Sequence, residues 1–268
     1  MKKRIADIEV AMSAARKAGE YLRGVPHPEP GNEKVKESRH SIVTQEDLEA
    51  QKIIVTTLRE ADPHARILSE EKIAHEYLSA PFWVVDPIDG TSYFVRGLPS
   101  YSISIAFVDD RGVAAGVVHC PATNELFHAE RGRGAFLNGN RISVSRIDDP
   151  KKALFTFSHR FLREITSWPG RLDMVRSVRS IRAGGSCAQD LAYLANGNID
   201  GITALSQSAW DYAAGMLLVT EAGGEVTDLA GRKLNVTGDG AKSQDLVATN
   251  SRLHAWCLEL IAPREADR

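Results

Sequence analysis

The sequence predicts a mixed α+β and α/β fold in two layered halves, residues 1–150 and 151–268, and three observations carry that expectation. Apolar residues recur at helical spacing through the opening of the chain. Between Tyr101 and Gly139 the pattern changes to alternation of period two, broken by turn residues. From Ala153 onward, short apolar strands alternate with helical segments, the rhythm of layered α/β proteins. At 268 residues, 43% of them hydrophobic, the chain can fill one large domain or two tightly packed halves.

Ile5, Ile8, Met12, Ala15 and Leu22 mark a first amphipathic helix. Its basic start has no continuous apolar stretch behind it, so the segment is expected to belong to the folded protein rather than to a signal peptide. Pro26, Pro28 and Pro30 predict a loop, and a second helix is expected from Thr44 to Glu60 with Ile53, Ile54 and Leu58 on its buried face. Ile67-Leu68-Ser69 and Trp83-Val84-Val85 are short apolar strands that run into carboxylates, Glu70 and Glu71 after the first and Asp86 after the second. Tyr101–Val108, Val113–Val118 and Asn124–Ala129, with turns at Asp109–Gly112 and Asn138-Gly139, predict an antiparallel meander. The first half therefore reads as helices on an antiparallel sheet. In the second half, strands at Ala153–Phe157, Gly201–Leu205 and Leu246–Thr249 alternate with helices at Ser186–Ala195, Asp211–Ala222 and Ser251–Ile261.

Lys and Arg total 33 against 35 Asp and Glu, which leaves no electrostatic argument for a nucleic-acid partner. Arg160, Arg163 and Arg171 read as a solvated face. Cys120, Cys187 and Cys257 lack metal-ligand spacing and point to a reducing compartment. No apolar run approaches the ~20 residues of a membrane span, so the expectation is a cytoplasmic protein with no membrane association. The histidines form no i, i+4 pair, and neither G-x-S-x-G nor a complete P-loop is present, so zinc-peptidase, serine-hydrolase and NTPase readings have no support.

The stretch from Trp83 to Thr91 is the most informative. A β-branched strand delivers Asp86 and Asp89 to a turn in which Pro87 stops the ladder and Gly90 permits a sharp re-entry. Two bare carboxylates there repel each other, and a hard divalent cation between them removes the repulsion. Asp, Pro and Gly also build ordinary surface turns, so this stretch alone supports both readings.

Trp83-Val84-Val85-Asp86-Pro87-Ile88-Asp89-Gly90-Thr91 and Trp210-Asp211-Tyr212-Ala213-Ala214-Gly215 resemble the two signatures of the inositol monophosphatase family of metal-dependent sugar-phosphate phosphatases. Val43–Asp47, Gly132–Gly139 and Thr220–Gly224 resemble three further segments of that family, and all five occur in order. The resemblance implies a five-layer αβαβα sandwich with the active site between the halves, a homodimer, and a small phosphate ester as substrate. It implies Glu70, Asp86, Asp89 and Asp211 as carboxylate ligands, with the main-chain carbonyl of Ile88. An all-oxygen set favours Mg²⁺, or Mn²⁺, over zinc.

By the same resemblance Asp47, Thr91 and Glu70 are the catalytic residues, Thr91 and Asp47 together orienting the attacking water. Gly90 and Thr91 present backbone N–H groups to the phosphate, and Gly185, Ser186, Cys187 and Asp211 contact the substrate. Lys36 stands where the family often carries a lysine near the metals, and is equally readable as solvated. Thr44–Asp47 and Ser208–Asp211 also fit helix capping boxes, and Ser186 fits a helix N-cap, so structural readings of Asp47, Asp211 and Ser186 stand beside the functional ones.

The implied reaction is hydrolysis of inositol 1-monophosphate. Histidinol phosphate, fructose 1,6-bisphosphate and 3′-phosphoadenosine 5′-phosphate are the alternatives within the superfamily, and a macromolecular binding role is the alternative of another class. Inositol phosphatases carry an acid several residues before the Trp-Asp pair; here the position is near Ala204, which predicts a loosened pocket that admits other polyol phosphates.

Overall fold

The computed structural model describes residues 8–28, 31, 34–35, 42–71, 78–167, 169–239 and 242–261; Lys36 lies outside them. Helices α1 (Ile8–Gly24) and α2 (Gln45–Ala61) open the chain, separated by the short strands β1 (Lys34–Val35) and β2 (Ile42–Val43). A seven-stranded sheet follows, made of β3 (Ile67–Ser69), β4 (Phe82–Asp89), β5 (Ser102–Asp109), β6 (Gly112–Cys120), β7 (Glu125–Glu130), β8 (Gly134–Leu137) and β9 (Asn140–Arg141) in that spatial order. The five-residue helix α3 (Thr91–Val95) sits directly behind β4.

Strand periodicity distributes the first sheet between two cores. Trp83, Val85, Ile103, Ile105 and Val117 face α1 and α2, meeting Ala14, Ala18, Leu22, Ile54 and Leu58. Phe82, Val84, Ala106, Val118 and Phe127 face the other way, onto α6 (Cys187–Ala195) and α7 (Ala209–Glu221). The sheet is antiparallel except at β3, which runs parallel to β4, contrary to the expected all-antiparallel arrangement. A parallel pair brings both C-terminal ends to the same edge, so the acids that follow each strand meet.

The second sheet has the order β11-β10-β12-β14-β13, from β10 (Leu154–Phe157), β11 (Ser180–Ala183), β12 (Gly201–Gln207), β13 (Glu225–Thr227) and β14 (Gln244–Thr249). Its Ile202, Ala204, Leu246 and Ala248 close the core over α6 and α7. Its opposite face, with Phe155, Phe157, Leu205 and Val247, is covered by α4 (His159–Arg163), α5 (Pro169–Ser177) and α8 (His254–Ile261) through Phe161, Met174, Cys257 and Ile261. The layers are thus α1/α2, first sheet, α6/α7, second sheet and α4/α5/α8, the expected αβαβα sandwich. Among the described residues no helix is long and apolar enough to cross a membrane.

Sequence reasoning passed over α4, α5, β11 and β13, which are short, polar or edge elements. It also misplaced Arg171. That side chain is 6% exposed, its guanidinium lies over the Phe161 ring at 5.6 Å, and Nη1 donates to the Glu164 carbonyl at 3.2 Å and to its Oε2 at 3.3 Å. The planar group is buried because it stacks and is paired at once.

Two glycine-rich segments have structural reasons. Glu221, at the end of α7, accepts from Gly132 N at 2.7 Å and Gly134 N at 2.8 Å, which ties the β7–β8 hairpin to the central helix layer. At Gly116 on β6 a side chain would stand 2.9 Å from the Ala214 carbonyl oxygen, because α7 crosses the sheet there with no room to spare. Gly116→Val should therefore lower stability by roughly 2 kcal/mol or more through overpacking against backbone. Thermal melts check this, and a variant as stable as the parent would show that α7 can shift away.

Candidate active site

Asp86 and Asp89 would point to opposite sides of a regular strand, being three positions apart. The pairing of β4 with β5 is irregular between them: Asp86 faces Ser104 and Asp89 faces Ser102, so three steps on β4 oppose two on β5. The extra residue, at Pro87-Ile88, reverses the parity and turns both carboxylates toward the α7 side. Gly90, at φ 94°, then reverses the chain into α3; a side chain there would lie 2.7 Å from the Ser100 carbonyl, so glycine is required on two counts.

The parallel strand β3 adds the next acid. Ser69 is in register with Val85, and Glu70 N donates to Val85 O at 3.2 Å, which sets the Glu70 carboxylate beside Asp86. Asp211 comes from the first turn of α7, where its Oδ2 accepts from Ser208 N at 2.7 Å in a capping box. Asp86, Asp89 and Asp211 each offer an oxygen, and these atoms lie within 4.8 Å of one another. Ile88, whose carbonyl completes the expected ligand set, lines the same cavity, and that carbonyl accepts from Thr91 Oγ1 at 3.0 Å. A carbonyl retains a second lone pair for another partner.

The electrostatics follow from burial and crowding. Asp86 is held well above the ordinary carboxyl range by burial, then by the charges of Glu70, Asp89 and Asp211. Burial pushes Asp89 up to about 7 against the hydrogen bonds that would lower it. One oxygen of Asp86 accepts from Ile88 N at 3.0 Å; the other, Oδ2, is buried with no donor among the described residues. A buried acceptor facing other carboxylates is an unfavourable arrangement by itself. It fits a divalent cation, which takes oxygen ligands and removes the repulsion.

Asp47 is fully buried at the start of α2. Its Oδ2 accepts from Thr44 N at 2.7 Å while Asp47 N donates to Thr44 Oγ1 at 3.4 Å, which is the capping box; Oδ2 also accepts from Thr44 Oγ1 at 2.6 Å, and Oδ1 stands 3.2 Å from Thr91 Oγ1. Capping and contact with Thr91 are therefore carried by different oxygens of one carboxylate. Burial pushes Asp47 up to about 7, opposed by Thr44 and assisted by Glu70 and Glu71. The Glu71 carbonyl accepts from Gln51 Nε2 at 3.0 Å.

The loop before α6 closes the opposite wall. Gly185 and Cys187 line the cavity. Ser186 is 1% exposed and its hydroxyl is engaged elsewhere: it donates to Asp89 Oδ2 at 2.7 Å, accepts from Gln189 N at 3.1 Å as the N-cap of α6, and lies 2.9 Å from Ser102 Oγ. Ala188 N also donates to Asp89 Oδ2, at 2.7 Å. Asp89 is thus fastened to the start of α6, where the helix dipole favours a negative charge.

Several cavity residues escaped sequence reasoning, and Arg160 and Arg163 were read only as a solvated face. Asp190, 2% exposed and pushed up to about 7 by burial, forms an ion pair with Arg182 behind the Gly184-Gly185 turn. Tyr93 Oη and His159 Nε2, 3.0 Å apart, join α3 to α4 across the opening, and Arg96, Arg160 and Arg163 line its outer part. No sequence motif marks these residues, because they meet only through the packing of separate elements.

A profile of the inositol monophosphatase family matches residues 6–265. The chain is 36% identical over 260 residues to the fructose-1,6-bisphosphatase/inositol-1-monophosphatase of Thermotoga maritima, covering 95% of each chain. It is 35% identical over 265 residues to the Nus factor SuhB of Pasteurella multocida, covering 97% of each. Among solved structures, the IMPase of Thermotoga maritima superposes with a TM-score of 0.85 at 35% identity, over 96% of this chain and 97% of that one. With the acids of β3, β4 and α7 gathered at one seam, and with these likenesses along almost its whole length, the chain belongs to the inositol monophosphatase family.

Proposed function

We propose that this protein hydrolyses small phosphate monoesters with Mg²⁺, inositol 1-monophosphate among them, at the cavity between β4, α3, α6 and α7. The observation that carries the reading is the convergence of Asp86, Asp89 and Asp211, with Glu70 beside them and one oxygen of Asp86 lacking a donor. A surface turn would leave such acids in water; here Asp86 and Asp89 are buried beside the partly buried Glu70 and Asp211, and near neutral pH a cation relieves the repulsion of their ionised forms.

Asp86, Asp89, Glu70, Asp211 and the Ile88 carbonyl would hold the metal. Bound Mg²⁺ supplies charge neutralisation of the phosphate and acidification of a water. Thr91 Oγ1, fixed between Asp47 Oδ1 and the Ile88 carbonyl, orients the attacking water. Asp47 Oδ1 and the Ile88 carbonyl are alternative acceptors for the single proton of that hydroxyl and together set its direction. The N–H groups of the first turn of α3, at Gly90 and Thr91, have no partner within the helix and face an anion well. Gly185 and Cys187 form the wall against which the alcohol portion rests. Ser186 acts through Asp89 rather than on the substrate.

The relatives carry different names, and the SuhB relative is called a Nus factor. Turnover distinguishes the two kinds of role. A panel of phosphate esters assayed with and without Mg²⁺ should show release of phosphate only with the metal. Asp86→Asn should lower kcat/KM by ~10²-fold or more while the protein stays folded, because transition-state charge is no longer matched. Full activity in excess chelator, or in that variant, would reject the proposed site.

Asp47→Asn isolates the second carboxylate. The variant should lower kcat much more than KM, since orienting water matters mainly in the transition state. It should also melt ~1 kcal/mol less stable through its capping role. A stability loss with unchanged kcat would reduce Asp47 to a cap.

Metal dependence should vary with pH in a fixed direction. Asp86 and Asp89 are raised above the unfolded value of 3.8, Asp89 to about 7, so the metal-free fold binds more protons than the unfolded chain between those values. Their contribution to stability is therefore lost as pH rises through that window. Ligation requires ionised carboxylates, so Mg²⁺ should raise Tm by several degrees at about pH 8 and by little at about pH 5. Equal Mg²⁺ shifts in thermal melts at the two pH values would show that these acids do not bind it.

A further inference from the structure

The strand that reaches the cavity from the second half is irregular at its end. Ala204 of β12 faces Leu246 and Gln207 faces Gln244, so three steps on β12 oppose two on β14. The extra residue distorts the strand, and Ser206 takes φ 54°. Left-handed backbone is costly for a residue with a Cβ, and glycine would avoid that cost. The other non-glycine residues at positive φ, Asn124, Asn138 and Ser251, stand in turns or a bend; among the described residues Ser206 alone does so within a strand. Backbone of this kind persists where its surroundings fix it, and it clusters at active sites and ligand contacts.

Two side chains fix it here. Asp245 Oδ1 accepts from Ser206 N at 2.8 Å, and Ser158 Oγ, at the N-cap of α4, accepts from Leu205 N at 3.2 Å. The Gln207 side chain turns back onto its own strand, Nε2 donating to the Leu205 carbonyl at 2.8 Å. The Ser206 hydroxyl makes no hydrogen bond among the described residues.

Ser206 is half-buried where two parts of the cavity meet. The inner part holds Glu70, Asp86, Asp89 and Asp211; the outer part, of about 750 Å³, runs past Ala204, Leu205 and Gln207. Ile42, Asp89, Ser92, His159, Gly185 and Ser206 line both. An ester whose phosphate lies at the acids would have its first carbons at this junction. Of the polar side chains there, Asp89 accepts from Ser186 and Ala188, His159 contacts Tyr93, and Ser92 is exposed on α3. Ser206 is the partly buried one with an uncommitted polar group. A hydroxyl both donates and accepts, which matches another hydroxyl.

We propose that Ser206 is a specificity-determining residue, its hydroxyl recognising a hydroxyl on the carbon next to the ester and so distinguishing phosphates that carry such a group from those that lack it. The left-handed backbone is what sets that hydroxyl at the junction. This rests on the hydrolase reading above and specifies the residue that reads the alcohol.

Cyclohexyl phosphate and the cis and trans monophosphates of cyclohexane-1,2-diol test it, since only the hydroxyl beside the ester is added. With the full-length enzyme and Mg²⁺, at least one diol ester should exceed cyclohexyl phosphate about fivefold in kcat/KM, the factor that one neutral hydrogen bond supplies. Ser206→Gly suits the positive φ and removes the hydroxyl. In that variant the preference should fall below about twofold, with cyclohexyl phosphate turned over as in the parent, because only the hydroxyl contact is lost. Equal use of the three esters by the parent, a preference that survives in Ser206→Gly, or an equal fall for all three esters overturns the proposal. If the parent hydrolyses none of them, the hydrolase reading fails for this class, and calorimetric titration of the same esters with Mg²⁺ decides Ser206 separately. Tighter binding of a diol ester that is lost in Ser206→Gly supports its role; equal affinities, or a preference kept in the variant, overturn it.

Discussion

Crowded carboxylates that repel one another, two of them buried, are the constraint around which this molecule is arranged. Glu70, Asp86, Asp89 and Asp211 come from two strands and a helix, and burial and mutual charge raise Asp86 and Asp89 far above the ordinary carboxyl range. Nothing in the packing requires such a cluster; apolar residues in the same places would remove an electrostatic cost. What surrounds it serves to hold the acids in place. The parallel pairing of β3 with β4 brings Glu70 alongside, the bulge at Pro87-Ile88 turns Asp86 and Asp89 to one side, and the α7 capping box fixes Asp211.

The capping boxes show how one carboxylate can meet structural and chemical demands together. In Asp47 the two oxygens are divided, Oδ2 toward Thr44 and Oδ1 toward Thr91. In Asp211 the Ser208 N–H orients the group while leaving an oxygen within reach of Asp86 and Asp89. Ser186 combines roles in another way, since its hydroxyl caps α6 and donates to Asp89. A cap and a site role are thus compatible in Asp47 and in Asp211, since capping leaves each carboxylate in contact with the cluster. A helix start rigidly positions whatever caps it, which is what a preorganised site needs.

The main helices and strands were legible because long amphipathic segments and alternating strands leave periodic marks, whereas the αβαβα layering came from the resemblance to the inositol monophosphatase family. Elements without such marks were missed: α4 and α5 lie in a polar, arginine-rich stretch, and β11 is an exposed edge strand. Parallel pairing of β3 was illegible because a three-residue strand carries no sign of direction. In the site, turn chemistry drew attention to Asp86 and Asp89, while the ligand reading of Asp211, locally a helix cap, came from the resemblance. The Arg182–Asp190 pair, the Tyr93–His159 contact and the arginine-lined outer cavity could not be read, since each joins segments that only the tertiary fold brings together. Arg171 was misread for the same reason, its burial depending on Phe161 and Glu164.

The two aspartates of the β4 bulge divide the work unequally. Asp89 receives Ser186 Oγ and Ala188 N on one oxygen, both at 2.7 Å, so part of its charge is met by the protein across the seam. Asp86 receives a single backbone donor, Ile88 N, and its other oxygen faces only like-charged neighbours. On the proposed reading, Asp89 anchors the α6 wall to the metal site, whereas Asp86 depends almost entirely on the cation for compensation. Ser104 Oγ donates to the Trp210 carbonyl at 2.8 Å, a second tie between the sheet and the start of α7. A cation held by Asp86, Asp89 and Asp211 would join β4 to α7 next to those ties, so filling the site and closing the seam between the sheet and the central helices are one physical event.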